Sequence, residues 1–339
     1  MYLGFYNFYK IYNENRMFEK TYSTLGADLT ASTVYLKDSL NKLGHQVSTI
    51  DTEKDIKKYD AIVFIEFPTF KNKYFKKLLK IGYKNLYLIL LEPEIINKGN
   101  WQVKNHKYFK KIFTFRDDII DNKKYFKINY TCKKPKNSIN NIAEKYKLCT
   151  LISCNKFSYH VNELYSERIK AIRWFEKNHS DDFDLYGYGW NKFIFTNKFH
   201  FLNNFKIFKY LLKSKFSSYR GSTKSKIDTL KNYKFSICFE NIKDIPGYIS
   251  EKILDCFISG CVPIYLGAPN ISDHIPENTF IDMRNFNNYD DLYFYIKNMS
   301  NNEYLNYLNN IKSFFNSKNF YYFNFEYFAN KIISEIINP

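Results

Sequence analysis

The stretch of the chain between residues 234 and 267 constrains the fold more than any other. An apolar run ends at Glu240–Asn241, a short loop follows, and a helix opens at Ser250. The helix stops at Gly260, and a second apolar run occupies Val262–Leu266. A strand, a helix and a strand in this order predict a parallel sheet, whose ligands bind beside strand ends and helix N-termini. The polar residues of this stretch therefore mark a candidate nucleotide site.

The same alternation of strand and helix signals runs through the rest of the chain. In the first half, strands are predicted at Tyr2–Tyr9, Val47–Ile50, Ala61–Phe67 and Asn85–Leu91, and helices at Val34–Leu43 and Phe70–Ile81. After a linker at 130–146, strands are predicted at Lys147–Ser153, Phe183–Tyr186 and Thr279–Asp282, and helices within His160–Asn178, near Tyr289–Met299 and Glu303–Ser317, and from about Asn324. Helices between buried strands indicate parallel sheets covered on both faces.

Two successive α/β units predict the fold class, an α/β protein of the GT-B type with two facing Rossmann-type domains and parallel sheets. At 339 residues the chain is long enough for each domain to bury its own core. We place the first domain at residues 1–140, the second at 141–318 and a C-terminal helix at 319–339.

The charge of the chain restricts its partners. It carries 51 Lys and Arg against 34 Asp and Glu, a formal net charge of +17. Such an excess favours polyanions, acidic membrane surfaces or phosphate-bearing substrates. The basic residues are scattered in short doublets such as Lys76-Lys77, which is typical of solvated faces rather than of a nucleic-acid-binding stripe. We therefore expect no nucleic-acid partner.

The six cysteines show neither a C-x-x-C pair nor zinc-ligand spacing, and most lie in apolar patterns. This predicts a reducing compartment. Because no apolar run approaches the length of a membrane span and no basic-then-apolar signal opens the sequence, we expect a cytoplasmic protein. Its positive charge would suit an acidic membrane surface, although the sequence offers no clean amphipathic anchor.

Four residues are candidates for binding a phosphate-bearing ligand. Lys252 lies in the first turn of its helix, where the macrodipole disfavours a cation, so a bound diphosphate explains it better than a structural role. Glu251 suits the dipole without a ligand, and binding of a hydroxyl is an equal alternative. Tyr248 is either a packing aromatic or a ligand contact. Arg168 lies on an apolar helix face or in a first turn, where a fork for phosphate fits better than snorkelling over the core.

Carboxylates offer two further patterns. Asp182-Phe183-Asp184 has the Asp-x-Asp form that holds a divalent cation in many sugar-nucleotide enzymes, but no nearby acid or histidine completes a site, so we expect no metal there. Glu92 and Glu94 end a buried strand that faces the predicted cleft. Either carboxylate could act as a general base whose pKa is raised by partial burial. The alternative, which their position at a strand end favours, is that they cap the next turn.

The run from Tyr233 to Gly267 contains Tyr-Lys-Phe, Phe-Glu-Asn, Tyr-Ile-Ser-Glu-Lys and Gly-Cys-Val-Pro in that order. It resembles the signature of the α1,3/α1,4-fucosyltransferases, which have Thr in place of Ser250. The resemblance covers most of residues 147–285. It is weaker in the first half, where Glu92-Pro93-Glu94 is compressed relative to the family's Glu-Ser-Pro, which leaves Glu92 and Glu94 as alternatives for the base.

The resemblance implies an inverting, metal-independent α1,3-fucosyltransferase without a cofactor. It implies that the first domain binds an oligosaccharide or glycolipid acceptor, at GlcNAc of a lactosamine-type unit, and that the second binds GDP-fucose. Glu92 would be the base, and the implied donor-binding residues are Arg168, Lys226, Asn241, Tyr248, Glu251 and Lys252. A transferase for another nucleotide sugar and a non-catalytic glycan- or polyanion-binding protein are the alternatives.

Overall fold

The computed structural model describes residues 1–19, 30–135, 145–195, 202–203 and 214–337. Within them the chain forms two sheets, of six and five strands. The strands of the first are β1 Tyr2–Asn7, β2 Gln46–Thr49, β3 Ala61–Ile65, β4 Leu86–Leu90, β5 Lys111–Thr114 and β6 Tyr125–Lys127, and those of the second are β7 Lys147–Ile152, β8 Phe183–Tyr186, β9 Tyr233–Phe239, β10 Val262–Leu266 and β11 Ile281–Asp282. All the pairings described between these strands are parallel, so the predicted class of two parallel-sheet α/β domains is confirmed.

Helices of very different length accompany these sheets. They are α1 Ala31–Lys42, α2 Lys73–Lys80, α3 Val103–His106, α4 Tyr165–Asn178, α5 Lys226–Lys231, α6 Glu251–Ile258, α7 Tyr289–Asn298, α8 Asn301–Phe315, α9 Lys318–Tyr321 and α10 Phe325–Ile337. The helix α2 begins later than the predicted Phe70 because Asn72 caps it, accepting from the amides of Tyr74 and Phe75. The sequence analysis does not predict β5, β6 and α5. Among the described helices, none is both long and apolar enough to cross a membrane.

The strand orders are β2-β1-β3-β4-β5-β6 and β11-β10-β9-β7-β8. Interior strands are covered on both faces, and every residue of β3 and β4 is buried. The interior strands β4 and β9 lead at their carboxyl ends into Glu92 and Asn241. The sheet architecture thus brings candidate residues of each domain to the edge where parallel sheets bind ligands.

The last helix belongs structurally to the first sheet. Four side chains of α10 are buried in the same apolar core as Leu36 and Leu40 of α1. These four are Phe328, Ala329, Ile332 and Ile336. Lys111 of β5 also pairs with Glu335 at 2.8 Å. The chain therefore returns to its first domain after building the second. The proposed domain boundary at residues 140 and 141 lies outside the described residues.

Candidate active site

Side chains of both domains meet beside the ends of β4 and β9. Phe115 of the first domain packs against Tyr248 of the second with ring centroids 4.9 Å apart. Ile242 and Ile245 complete the buried apolar cluster around Phe115. The loop between β9 and α6 is thus pressed against the first domain, next to the half-buried Glu92.

Glu240, which is completely buried, organises the start of α6. Its carboxylate accepts hydrogen bonds from the amide and the hydroxyl of Ser250, at 2.7 and 2.6 Å, and from Lys252 Nζ at 2.8 Å. Burial alone would lower the pKa of Lys252, but the carboxylates of Glu240 and Glu251 outweigh it and raise that pKa. Lys252 therefore has a structural partner, and the expectation that a structural role explains it poorly is wrong.

Arg168 lies in the first turn of α4 and also on its buried face, with 3% of its surface exposed. Its Nη2 donates to the carbonyl oxygens of Phe239 and Glu240, both at 2.7 Å, and to Asn241 Oδ1 at 3.1 Å. Burial lowers the pKa of the guanidinium, but an arginine stays charged in a protein. The end of β9 thus rests on a fixed, buried cation.

Lys226 opens α5 and forms an ion pair with Asp255 of α6 at 2.7 Å. Burial opposes its charge, yet Asp255 and Glu251 raise the pKa of Lys226. Burial likewise opposes the charge of Glu251, but Lys252 and Lys226 lower its pKa, so Glu251 is ionised. The same balance leaves the pKa of Asp255 raised to about 6, chiefly by burial.

The three predicted cations line a common cavity. Arg168, Lys226 and Lys252 lie around a space of about 10 Å³ below the ends of β7 and β9. That volume is sufficient for a water molecule but not for a nucleotide. A diphosphate therefore does not fit inside this cavity in the present conformation.

Asn241 and Tyr248 continue the network that begins at Arg168. Asn241 accepts from Arg168 and donates through Nδ2 to the Tyr248 hydroxyl at 3.3 Å. Tyr248 is 1% exposed, and burial raises its pKa well above the usual range, so the phenol is neutral. In this conformation Tyr248 is a packing residue of the domain contact with its hydroxyl aimed at Asn241.

The two candidate bases have different surroundings. Burial raises the pKa of Glu92, and the negative charge of Glu251 raises it further. The hydrogen bond that the Tyr9 hydroxyl donates to Glu92, at 3.0 Å, lowers this pKa. Glu92 therefore lies close enough to α6 to interact with it electrostatically. The carboxylate of Glu94 instead contacts His160 Nε2 of the second domain at 2.5 Å. Glu94 is thus part of the contact between the domains, whereas Glu92 is bonded within the first domain and interacts with α6 only electrostatically.

The Asp-x-Asp sequence is divided between two separate networks. The buried Asp184 is bonded to Lys147, Arg220 and Tyr233. Asp182 instead accepts from Tyr293 and Lys297 on α7. Over the described part of the chain, no three His, Cys, Asp or Glu side chains are grouped so that they could hold a metal ion.

Two buried glutamates were absent from the predicted site. Glu240 is the acid of the Phe-Glu-Asn sequence, and Glu66 directly follows β3. Each is an acid that ends a continuous apolar strand, and this signal could have marked both. Glu66 binds the backbone beside Glu92: its Oε1 accepts from the amides of Leu91 and Glu92, at 2.9 and 3.1 Å.

Parts of the chain are similar in sequence to known proteins. Residues 192–331 match the model of glycosyltransferase family 10 (fucosyltransferase) C-term. A segment of 76 residues is 38% identical to the α-(1,3)-fucosyltransferase FucT of Helicobacter pylori, covering 22% of this chain and 16% of that protein. Residues 192–331 are thus similar to the C-terminal part of the family 10 fucosyltransferases. A segment of 97 residues is 38% identical to 4-galactosyl-N-acetylglucosaminide 3-α-L-fucosyltransferase 9 of Mus musculus and covers 27% of this chain and 26% of that protein.

These matched segments span between about a sixth and a quarter of the two fucosyltransferases.

Solved structures extend the likeness to the whole fold. An α1,3-fucosyltransferase solved with GDP-fucose has a TM-score of 0.55 at 16% identity, covering 100% of this chain and 90% of that one. An α-glucosyltransferase solved with UDP and DNA has a TM-score of 0.58 at 11% identity, with both chains fully covered. The predicted GT-B fold and the resemblance to the fucosyltransferases are confirmed.

Proposed function

We propose that this chain is an inverting, metal-independent α1,3-fucosyltransferase that moves fucose from GDP-fucose to GlcNAc of a lactosamine-type glycan. One observation carries the proposal: the half-buried carboxylate of Glu92, whose pKa is raised by burial, is near enough to Glu251 and Lys252 of the other domain to interact with both electrostatically. A base and a cationic donor site on opposite domains are what a displacement between two substrates requires. The similarity of segments of this chain to an α-(1,3)-fucosyltransferase and to a 4-galactosyl-N-acetylglucosaminide 3-α-L-fucosyltransferase supports the choice of fucose and of the acceptor.

Glu92 would act on the acceptor. It takes the proton from the attacking hydroxyl while that oxygen forms a bond to the anomeric carbon of fucose. The bond from this carbon to the β-phosphate oxygen breaks, and its electron pair leaves with GDP. Because attack and departure are on opposite faces, the anomeric configuration inverts. Burial makes Glu92 a stronger base than an exposed glutamate.

The second domain would stabilise the leaving diphosphate. Arg168, Lys226 and Lys252 supply positive charge around one cavity, and Lys252 has the most exposed side chain of the three, at 17%. Fixed cations of this kind stabilise the negative charge that develops on the departing phosphate. In other transferases a divalent cation provides this stabilisation. Asn241, Tyr248 and Glu251 would contact the nucleotide or fucose. The net charge of +17 also supports action on glycolipids at an acidic membrane surface.

The deciding experiment measures GDP release from GDP-fucose with N-acetyllactosamine in EDTA, for the wild type, Glu92→Gln and Glu94→Gln. We expect release by the wild type and Glu94→Gln and none by Glu92→Gln. Loss in Glu94→Gln alone would transfer the role of base to Glu94. A wild type that binds GDP but uses only another nucleotide sugar would replace fucose in the proposal. Absence of GDP binding and of donor hydrolysis would favour a non-catalytic glycan-binding protein instead.

A further inference from the structure

Glu66 is an unusual residue for the interior of a domain. It directly follows β3, is 2% exposed, and has a φ of +66°, in the left-handed region that residues other than glycine rarely adopt. Strained backbone of this kind persists where surrounding contacts hold it, and it is concentrated at functional sites. Here the surrounding contacts lead to Glu92.

Glu66 and Asn100 hold the Glu92 peptide from both sides. Glu66 Oε1 accepts from the amides of Leu91 and Glu92, and Glu66 Oε2 accepts from Asn100 Nδ2. The same Asn100 amide also donates to the Glu92 carbonyl oxygen at 3.0 Å. Its Oδ1 accepts from the amide of Phe67 at 2.8 Å, which fixes the orientation of the Asn100 side chain. The bonds form a closed ring around the backbone that carries the proposed base.

We propose that Glu66 is a positioning residue, whose buried carboxyl group fixes the backbone from which Glu92 reaches the acceptor hydroxyl. The proposal rests on the proposed function, in which Glu92 is the base. A carboxyl group suits this position because its two oxygens can accept three N–H donors at once. A shift of about 1 Å in a catalytic group can cost about 100-fold in rate, so rigid support of Glu92 has a direct catalytic value.

Opposing effects set the pKa of the Glu66 carboxyl group. Burial raises the pKa to about 8 and the nearby charge of Glu92 adds to the shift, while the hydrogen bonds from Leu91, Asn100 and Glu92 favour the ionised form and oppose it. Glu66 also interacts with the phenols of Tyr9 and Tyr130. Among the described residues, the other ionisable groups that interact with Glu92 are Tyr9, Tyr130, Lys156, Tyr165, Tyr248, Glu251 and Lys252.

The test compares Glu66→Gln and Glu66→Ala, with Leu78→Ala as the control. Leu78 is fully buried in an apolar core of the same domain, so its truncation lowers stability without removing a contact to Glu92. We expect Glu66→Ala to lower kcat about 100-fold with the KM for GDP-fucose unchanged. Glu66→Gln keeps two of the three hydrogen bonds and should retain kcat within about tenfold. Leu78→Ala should retain kcat at temperatures below its own unfolding transition.

Two further readouts do not depend on activity. Hydrogen exchange at the amides of Leu91 and Glu92 should accelerate in Glu66→Ala and not in Leu78→Ala. In addition, because wild-type Glu66 keeps a proton that the unfolded chain releases, wild-type stability falls as the pH rises from the ordinary pKa of glutamate to about 8. Glu66→Gln has no such titrating group. The Tm of Glu66→Gln minus the Tm of the wild type should therefore increase as the pH rises over the same interval.

Each outcome supports or overturns the proposal. Equal kcat losses in Glu66→Ala and Leu78→Ala, or unchanged exchange at both amides in Glu66→Ala, would overturn it. If the wild type transfers no fucose while exchange at Leu91 and Glu92 responds as expected, the proposed function fails and the structural hold of Glu66 on Glu92 stands.

Discussion

The His274 imidazole of the second domain donates through Nε2 to the Asp117 carboxylate of the first, at 2.7 Å. Asn270 donates to the same oxygen at 2.9 Å. The Asp117 amide in turn donates to the carbonyl of Pro246 at 3.2 Å. Since Pro246 belongs to the loop that leads into Tyr248, Asp117 ties both this loop and the segment after β10 to the first domain.

Replacing Asp117 by Asn should therefore loosen the contact between the domains. Burial alone would raise the pKa of Asp117, but hydrogen bonds from His274 and Lys127 lower it below its usual range. Its contribution to stability is then present above the ordinary pKa of aspartate and is lost as the pH falls below it. We expect Asp117→Asn to lower the free energy of unfolding by about 2 kcal/mol at pH 7. The difference in the free energy of unfolding between Asp117→Asn and the wild type should shrink below about pH 4. Urea unfolding of both proteins at pH 7 and below about pH 4 measures this difference.

Gly247 lies within the same contact and should not tolerate a side chain. It has a φ of +77°, and a Cβ there would lie 2.3 Å from the carbonyl oxygen of Phe115 and 2.6 Å from Asp117 Oδ2. Gly82 is a matched control, with a φ of +67° and no atom of the described residues within 4 Å of the position that a Cβ would take. Both alanine variants should lose about 1 kcal/mol from backbone strain. Gly247→Ala should lose about 1 to 3 kcal/mol more, and equal losses in urea unfolding would contradict the close packing.

Lys252 should affect donor binding separately from stability. Lys252→Met leaves the buried Glu240 carboxylate without its ammonium partner, so the variant should be destabilised and should also bind GDP at least about tenfold more weakly. Lys252→Met combined with Glu240→Gln should recover stability but not GDP binding. The rise in Tm on adding GDP separates the two effects, because it measures affinity for the folded state.

A control for that experiment lies on α5. Lys231 pairs with Asp228 at the surface, and Lys231→Met removes the same charge without a buried partner. Its rise in Tm with GDP should equal that of the wild type. An equal reduction in Lys231→Met and Lys252→Met would show that net charge, rather than the position of Lys252, governs GDP binding.

The sequence predicts the strands and the family motif because both are local patterns. The strand predicted at Val262–Leu266 has the bounds of β10, since a continuous apolar run between glycines leaves few alternatives. The partners of single polar residues are not local. Glu66 is an isolated acid after an apolar strand, and only folding places the amides of Leu91 and Glu92 against it.

The same distinction holds for the cations of the site. A first-turn lysine is visible in the sequence, but the pairing of Lys252 with Glu240 depends on how α6 follows β9. Lys226 enters the prediction only through the family resemblance, because the short helix α5 has no periodic pattern and Asp255 lies far along the chain. Which of Glu92 and Glu94 faces the donor side also depends on the packing of the two domains, since His160 of the second domain engages Glu94.

The hydrogen bond between Tyr9 and Glu92 gives the pH dependence of transfer a specific test. Burial raises the pKa of Glu92 above the usual range, while the Tyr9 hydroxyl, at 3.0 Å, lowers it. As a base Glu92 must be ionised, so kcat/KM should fall as the pH drops through its raised pKa. Tyr9→Phe removes the hydrogen bond that favours ionisation, and it should move this acid limb to higher pH without abolishing transfer. Tyr12→Phe removes a hydroxyl that, within the described residues, is not bonded to Glu92, and it should leave the limb unchanged; a limb that is equal in all three proteins would show that another group titrates.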